Sequence, residues 1–188
     1  MKLDSFNDLV ESFNSLPSVG KKSATRFAYH LLLKDNFLAL RLSHSIENAL
    51  KKIQKCHICN FISEDEICEI CDDSSRDAHI LSIVLHPKDI FTLEENANYV
   101  GKYFILESIE EETIDKLKVL IDSNNISEII FAFSPSIANE GLILHVEDQL
   151  KNYNIHFTKL ARGIPTGVDL ENIDMISISK AMELRVKI

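Results

Sequence analysis

Cys56, Cys59, Cys68 and Cys71 are the chain's entire complement of cysteine, and they fall as two Cys-x2-Cys pairs with eight residues between them. Each pair closes a tight turn that carries both thiols on one side. Two such turns present four sulfurs to one tetrahedral ion, the arrangement that Zn²⁺ favours with Zn–S distances of about 2.3 Å. All four ligand positions are filled by sulfur, so no place is left for a water and the implied role is structural, with one Zn²⁺ per chain. Disulfides belong to oxidising compartments, and Met1-Lys2-Leu3-Asp4-Ser5 lacks the apolar block of a signal peptide. A redox dithiol needs only one pair. His57 lies inside the first turn and reads as an exposed residue rather than as a competing ligand.

The chain has 188 residues, which allows one compact domain or two to three small modules and excludes a large multidomain enzyme. Hydrophobic residues at 45% and charged residues at 26% are enough for a real core. No apolar run approaches the roughly 20 residues that span a bilayer, and the expectation is a cytoplasmic protein with no membrane partner. The net charge of −9 hides an asymmetry. From Gly20 to Lys55 eight basic residues face two acidic ones, a local +6 that leaves −15 for the remainder. A positive N-terminal module on an acidic body points to an anionic partner at one end.

Phe6, Leu9, Val10 and Phe13 recur at helical spacing and predict a first amphipathic helix ending near Asn14 to Pro17. Ala24, Phe27, Ala28 and Leu31 predict a second, and Leu38, Leu42, Ile46, Leu50 and Ile53 a third. After the cysteine insert, strand-like and helical runs alternate. Ile80 to Leu85, Asp89 to Glu95, Tyr103 to Leu106 and Thr113 to Ile121 come first. Ile129 to Phe133, Glu140 to Leu150, Ile155 to Leu160 and Met175 to Ile178 continue the alternation. Nearly continuous Ile, Val, Leu and Phe runs are those of strands covered on both faces, so this part reads as an α/β module with a mostly parallel sheet.

Leu16-Pro17-Ser18-Val19-Gly20-Lys21-Lys22-Ser23-Ala24 has the form of a helix-hairpin-helix turn. Glycine permits a sharp bend there, and the helix that follows offers backbone N–H groups and the positive end of its dipole to a phosphate. Lys22 and Arg26 are four residues apart on one helix face, and with Lys21 they can hold a DNA backbone without reading bases.

Several stretches in order carry a family resemblance. They are the run from Leu16 through Leu31, the four-cysteine insert, Pro87-Lys88-Asp89, and Ala161-Arg162-Gly163-Ile164-Pro165-Thr166-Gly167 followed by Asp169-Leu170-Glu171. Together they resemble the RecR family of bacterial recombination mediators over essentially the whole chain. The resemblance implies a helix-hairpin-helix region over 1–55, a C4 zinc finger over 56–71, a Toprim α/β domain over 78–164 and a C-terminal segment, 165–188, that packs on a neighbouring subunit. It further implies a ring-like homotetramer that encircles DNA and works with RecO, and in many bacteria RecF, to load RecA at single-stranded gaps. Lys22 and Arg26 match basic positions on the family's DNA-facing side.

The chain also departs from its relatives. Toprim enzymes use an acidic residue at the end of the first strand and a later Asp-x-Asp pair to hold Mg²⁺ beside a phosphate. Here the first position reads Leu85-His86, where RecR proteins usually carry Glu, and the second reads Ser134-Pro135-Ser136, where RecR proteins likewise lack the aspartate pair. Where the family commonly has Glu-Gly-Glu, this chain has Ala138-Asn139-Glu140, which leaves Glu140 as the candidate partner-binding carboxylate for RecO. Glu107 to Thr113 shortens a usually Gly-rich loop and makes it acidic. Arg162 to Gly167 lacks the Gly-Lys-[Ser/Thr] ending of a nucleotide loop and reads as a structural turn. The expectation is a non-catalytic, nucleoid-associated DNA repair mediator with largely sequence-independent DNA contact. Two rivals are a Toprim-type Mg²⁺-dependent nuclease using Asp89 and Glu140, and a scaffold that touches DNA only through RecO.

Overall fold

A computed structural model of the chain describes residues 3–96, 98–134, 136–161, 164 and 167–183. These form two compact units that divide between Ile53 and Gln54.

The first unit is helical, with α1 (Asp4–Asn14), α2 (Lys21–Leu33) and α3 (Asn36–Lys52). Val10 of α1 and the small Ala24 and Ala28 of α2 are buried together, with Phe6, Leu9, Phe13 and Val19 around them. Alanine at two successive turns lets the helices approach closely, and the aromatic pairs Phe6–Tyr29 and Phe13–Phe27 close the seam edge to face. The turn between the helices corrects one expectation. Its left-handed residue is Ser18, with φ of 64°, while Gly20 sits at φ −79°, ψ 160° as the N-cap of α2. Glycine is therefore not needed for the bend, and its surroundings are open, because a Cβ there would meet nothing within 4 Å.

Helix α3 begins at Asp35, whose carboxylate accepts a 2.8 Å hydrogen bond from the Leu38 N–H. It ends on Lys51 and Lys52, which complement the helix dipole. The apolar stripe read from the sequence is present, yet α3 has no buried residue. Leu50 is 80% exposed, and on the same helix Phe37 and Leu40 stand 75% and 71% exposed.

The second unit opens with the short antiparallel pair β1 (Gln54–Lys55) and β2 (Ile62–Ser63), followed by α4 (Glu69–Asp72). Then come β3 (Asp77–Val84), α5 (Pro87–Asn96), β4 (Gly101–Ile105), α6 (Glu111–Asn124), β5 (Glu128–Phe131), α7 (Ile137–Gln149) and β6 (His156–Lys159). A 3₁₀ turn at Leu170–Asn172 leads to α8 (Met175–Glu183). The four strands β3 to β6 form one parallel sheet in the order β4-β3-β5-β6. One face carries Leu81, Ile83, Phe104, Ile129 and Phe131 against Leu117, Leu120 and Ile121 of α6 and Val146 of α7. The other carries Val84, Tyr103 and Ile105 against Ile90 of α5 and, with them, Cys56, Cys59, Phe61 and Cys68. The cysteine insert is thus built into the core of the sheet and does not stand as a separate bead.

Gly101 shows how tightly β4 is laid down, since a Cβ there would sit 2.6 Å from the Ile80 carbonyl oxygen. Beside it Tyr99 donates to the carbonyls of Ile80 and Lys102. At the end of α6, Asn125 takes the left-handed conformation at φ 50°, which terminates the helix. The connection from β4 to α6 is short: Glu107 pairs with Lys55 at 2.7 Å, and Glu110 is already the N-cap.

Candidate metal centre and nucleic-acid interface

The four cysteine sulfurs lie within 4.8 Å of one another. All four are free thiols, and the Sγ atoms of Cys59 and Cys68 are 3.6 Å apart. That is far beyond a disulfide length and close to the roughly 3.8 Å edge of a tetrahedron with Zn–S bonds of about 2.3 Å. Local backbone geometry makes the cluster. Asn60, at φ 65°, turns the chain back so that the Phe61 N–H donates to Cys59 Sγ at 3.4 Å and Phe61 O accepts from the Cys56 N–H at 2.7 Å. The Cys68 N–H donates to Cys56 Sγ at 3.3 Å and joins the two turns. Cys68 then caps α4, whose first turn carries Cys71.

The electrostatics fit a cation. Thiol donation, first from Cys59 and then from Cys71, pulls the Cys68 thiol well below its ordinary range. The same contacts push Cys59 and Cys71 upward, helped by burial. Sulfurs this close cannot all ionise by themselves; a divalent ion between them removes the conflict and lets each bind as thiolate. Cys56, Cys59 and Cys68 are buried and Cys71 is partly so, as a closed structural site requires. His57 uses its backbone N–H on the Glu66 carbonyl and is not in the cluster.

Three polar ties that sequence reading missed hold this site to β4. Lys102 donates from Nζ to the carbonyls of Ile70 at 2.9 Å, Cys71 at 3.0 Å and Asp73 at 2.6 Å. Asn60 donates to the Ile105 carbonyl at 3.0 Å and accepts from Lys116. The Ile105 N–H donates to the Cys59 carbonyl at 2.9 Å. The only sequence signal was an Asn directly after a metal turn, a residue that tolerates the left-handed region.

In the first unit, Lys21, Lys22 and Arg26 lie on the first two turns of α2 and all three are exposed, with Lys22 and Arg26 on one face. The N-cap Gly20 supplies no side-chain hydrogen bond to the N–H groups of the first turn. The Arg26 guanidinium lies 5.7 Å from the centre of the Phe27 ring, which holds it against the helix.

At the carboxyl ends of β3, β5 and β6 lies a cleft of about 860 Å³, lined among others by Leu85, His86, Asp89, Ser134, Asn139 and Asp174. It marks the point where the chain changes direction across the sheet. Its carboxylates serve as helix caps: Asp89 accepts from the His86 N–H at 3.2 Å, and Asp174 from the Ser177 N–H at 2.9 Å. The Ser177 bonds hold Asp174 below the usual carboxylate range. Ser136 caps α7 by accepting from the Asn139 N–H at 3.1 Å. Glu140 is paired with Lys159 at 3.0 Å. Among the described residues, neither Asp89 nor Glu140 joins a cluster of three metal-capable side chains. Of the Arg162 to Gly167 turn, Arg162, Gly163, Pro165 and Thr166 lie outside the described residues, as does Pro135; Gly167 has φ of 82°.

Comparison with known proteins finds relatives for both the helical region and the cysteine insert. The family model described as RecR, helix-hairpin-helix, matches residues 6–50, and the model for the RecR zinc finger domain of the four-cysteine type matches residues 53–73. The chain is 50% identical over 186 residues to the recombination protein RecR of Campylobacter jejuni, covering 99% of this chain and 98% of that one. It is 48% identical over 185 residues to the recombination protein RecR of Helicobacter pylori, covering 98% and 96%. The cysteine cluster is the metal site of a four-cysteine zinc finger and takes one structural zinc ion. With both models matched in order and relatives of this similarity along its whole length, the chain belongs to the RecR family of recombination proteins.

Proposed function

We propose that this chain is a non-catalytic mediator of recombinational DNA repair that grips DNA through the first turns of α2 and works with RecO, and where present RecF, to load RecA at single-stranded gaps. The observation that carries the reading is the open N-terminus of α2, with Gly20 leaving space for a phosphate and Lys21, Lys22 and Arg26 grouped around it. Contacts of this kind hold the backbone and do not read bases, so affinity falls steeply with salt and varies little with sequence. In this reading 1–55 is the helix-hairpin-helix region, 56–71 the zinc finger, 78–164 a Toprim domain whose cleft has lost its metal-holding carboxylates, and 165–188 the segment that packs on another subunit. Glu140, in the first turn of α7, is the residue left to meet RecO, and its pairing with Lys159 means that the partner must compete for it.

The exposed apolar stripe of α3 supports self-association, and a ring-like tetramer gathers several copies of the +6 segment into one positive field that a single acidic chain lacks. Cytoplasmic location near the nucleoid follows from that partner.

The test is fluorescence anisotropy of labelled gapped DNA with zinc-loaded protein in Mg²⁺, at low and moderate salt, with the same samples run on a denaturing gel. Salt-sensitive binding to uncut DNA is expected, with Lys22→Ala/Arg26→Ala weakening it broadly across sequences. Cut DNA would return the nuclease rival, and absence of binding at either salt would leave a scaffold that reaches DNA only through RecO.

A further inference from the structure

Helix α2 turns its alanines and Leu31 inward, so its outer face is defined by what lies opposite them. Lys22, Arg26, Tyr29 and Leu33 recur at i, i+4, i+7 and i+11, which places them along that outer face. Tyr29 stands one turn beyond Arg26 and about 10 Å along the axis from Lys22. It is 55% exposed, although tyrosine rings usually bury most of their area.

The ring is also held in place. Phe6 of α1 meets it at 5.6 Å between centroids and 82° between planes. An edge-to-face contact occupies at most one face of the tyrosine, and with the residue 55% exposed part of the ring surface is accessible to a ligand. An accessible aromatic ring beside a cationic pair is the combination that binds a single strand: the cations take phosphates and the ring takes an unstacked base. In a duplex the bases are already stacked on one another and offer no free face.

We infer that Tyr29 is a base-stacking platform that gives the α2 surface a preference for single-stranded over duplex DNA. This rests on the reading that Lys22 and Arg26 contact the DNA backbone. The cations alone would bind either form, and the ring adds a contact that only a strand with free bases can make. Because every base has a π-face, the preference is for strandedness and not for sequence.

The experiment compares three labelled probes of equal length, oligo(dT), the same backbone with an abasic tract, and a duplex, against the full-length zinc-loaded protein and three variants. The unmodified protein is expected to bind oligo(dT) about tenfold more tightly than the abasic strand. Tyr29→Leu, which keeps apolar volume but has no ring, should lose about tenfold on oligo(dT) and change little on the abasic strand and the duplex. Tyr29→Phe should restore oligo(dT) binding. Equal affinity of the unmodified protein for oligo(dT) and abasic DNA overturns the inference without relying on any variant. So does a loss in Tyr29→Leu that is uniform across the three probes. If Lys22→Ala/Arg26→Ala binds all three probes like the parent, the underlying reading of the surface is what has failed.

Discussion

Glu94 illustrates how single side chains hold the second unit together. It accepts from Arg76 and, at 2.7 Å, from the Tyr103 hydroxyl. Hydrogen bonding from Arg76 holds its carboxyl below the ordinary range, against the opposing effect of burial. Burial and the same carboxylate raise the Tyr103 hydroxyl. A carboxyl whose folded pKa is depressed stabilises the fold at pH above its unfolded value, about 4.3, and that contribution disappears as pH falls through the folded value. Glu94→Gln should therefore lower the melting temperature by a few degrees at pH 7, with the gap to the parent closing as acid protonates Glu94 in the parent. Thermal melts from pH 7 to pH 3 check this, and a gap that widens in acid would contradict it. Gly101→Ala is a second case, because the added methyl meets the Ile80 carbonyl at 2.6 Å. A backbone clash has no flexible end to yield, so a loss of about 2 kcal/mol or more in denaturant unfolding is expected.

Elements were legible in the sequence where the pattern is local. The cysteine spacing located the metal site, and the apolar repeats located α1 to α3 and the alternation of strands and helices. What escaped are contacts whose partners lie far apart along the chain: Asn60 with Ile105, and Lys102 with the carbonyls of Ile70, Cys71 and Asp73. No periodicity announces such pairs. The hairpin was legible as a turn, yet its left-handed residue is Ser18 and not Gly20, because a two-helix turn can place its reversal at any of several residues. Since the cysteines share a core with Val84, Ile90 and Tyr103, the effect of metal loss belongs to the sheet as well as to the insert. Cys68→Ser should release the zinc, which a colorimetric chelator assay would count as one ion per chain in the parent and none in the variant. Hydrogen exchange at Tyr103 to Leu106 should speed up with it, while α1 and α2 remain protected. Unchanged exchange in β4 would show that the insert is an independent bead.

At the scale of the whole molecule, sequence periodicity reports that α3 is amphipathic but not what covers it. Leu40 and Leu50 lie on the surface of a helix whose repeat is that of a core element. Patches of this kind on a soluble chain mark association sites. On the proposed self-association, Leu40→Lys together with Leu50→Lys should lower the mass measured by light scattering without loss of helicity, and weaken the DNA binding proposed above. A variant of unchanged mass would place the assembly contact elsewhere. The sheet itself has one outer strand whose border is occupied: the Ile105 N–H, at the end of β4, is bonded to the Cys59 carbonyl. An unoccupied strand border recruits other chains by adding β-strands, and β4 is rich in buried aromatic and aliphatic residues. Because the Cys59 turn covers the end of this border, removal of the zinc is expected to uncover β4 for pairing with another chain, which light scattering of the metal-stripped protein would read as a rise in mass.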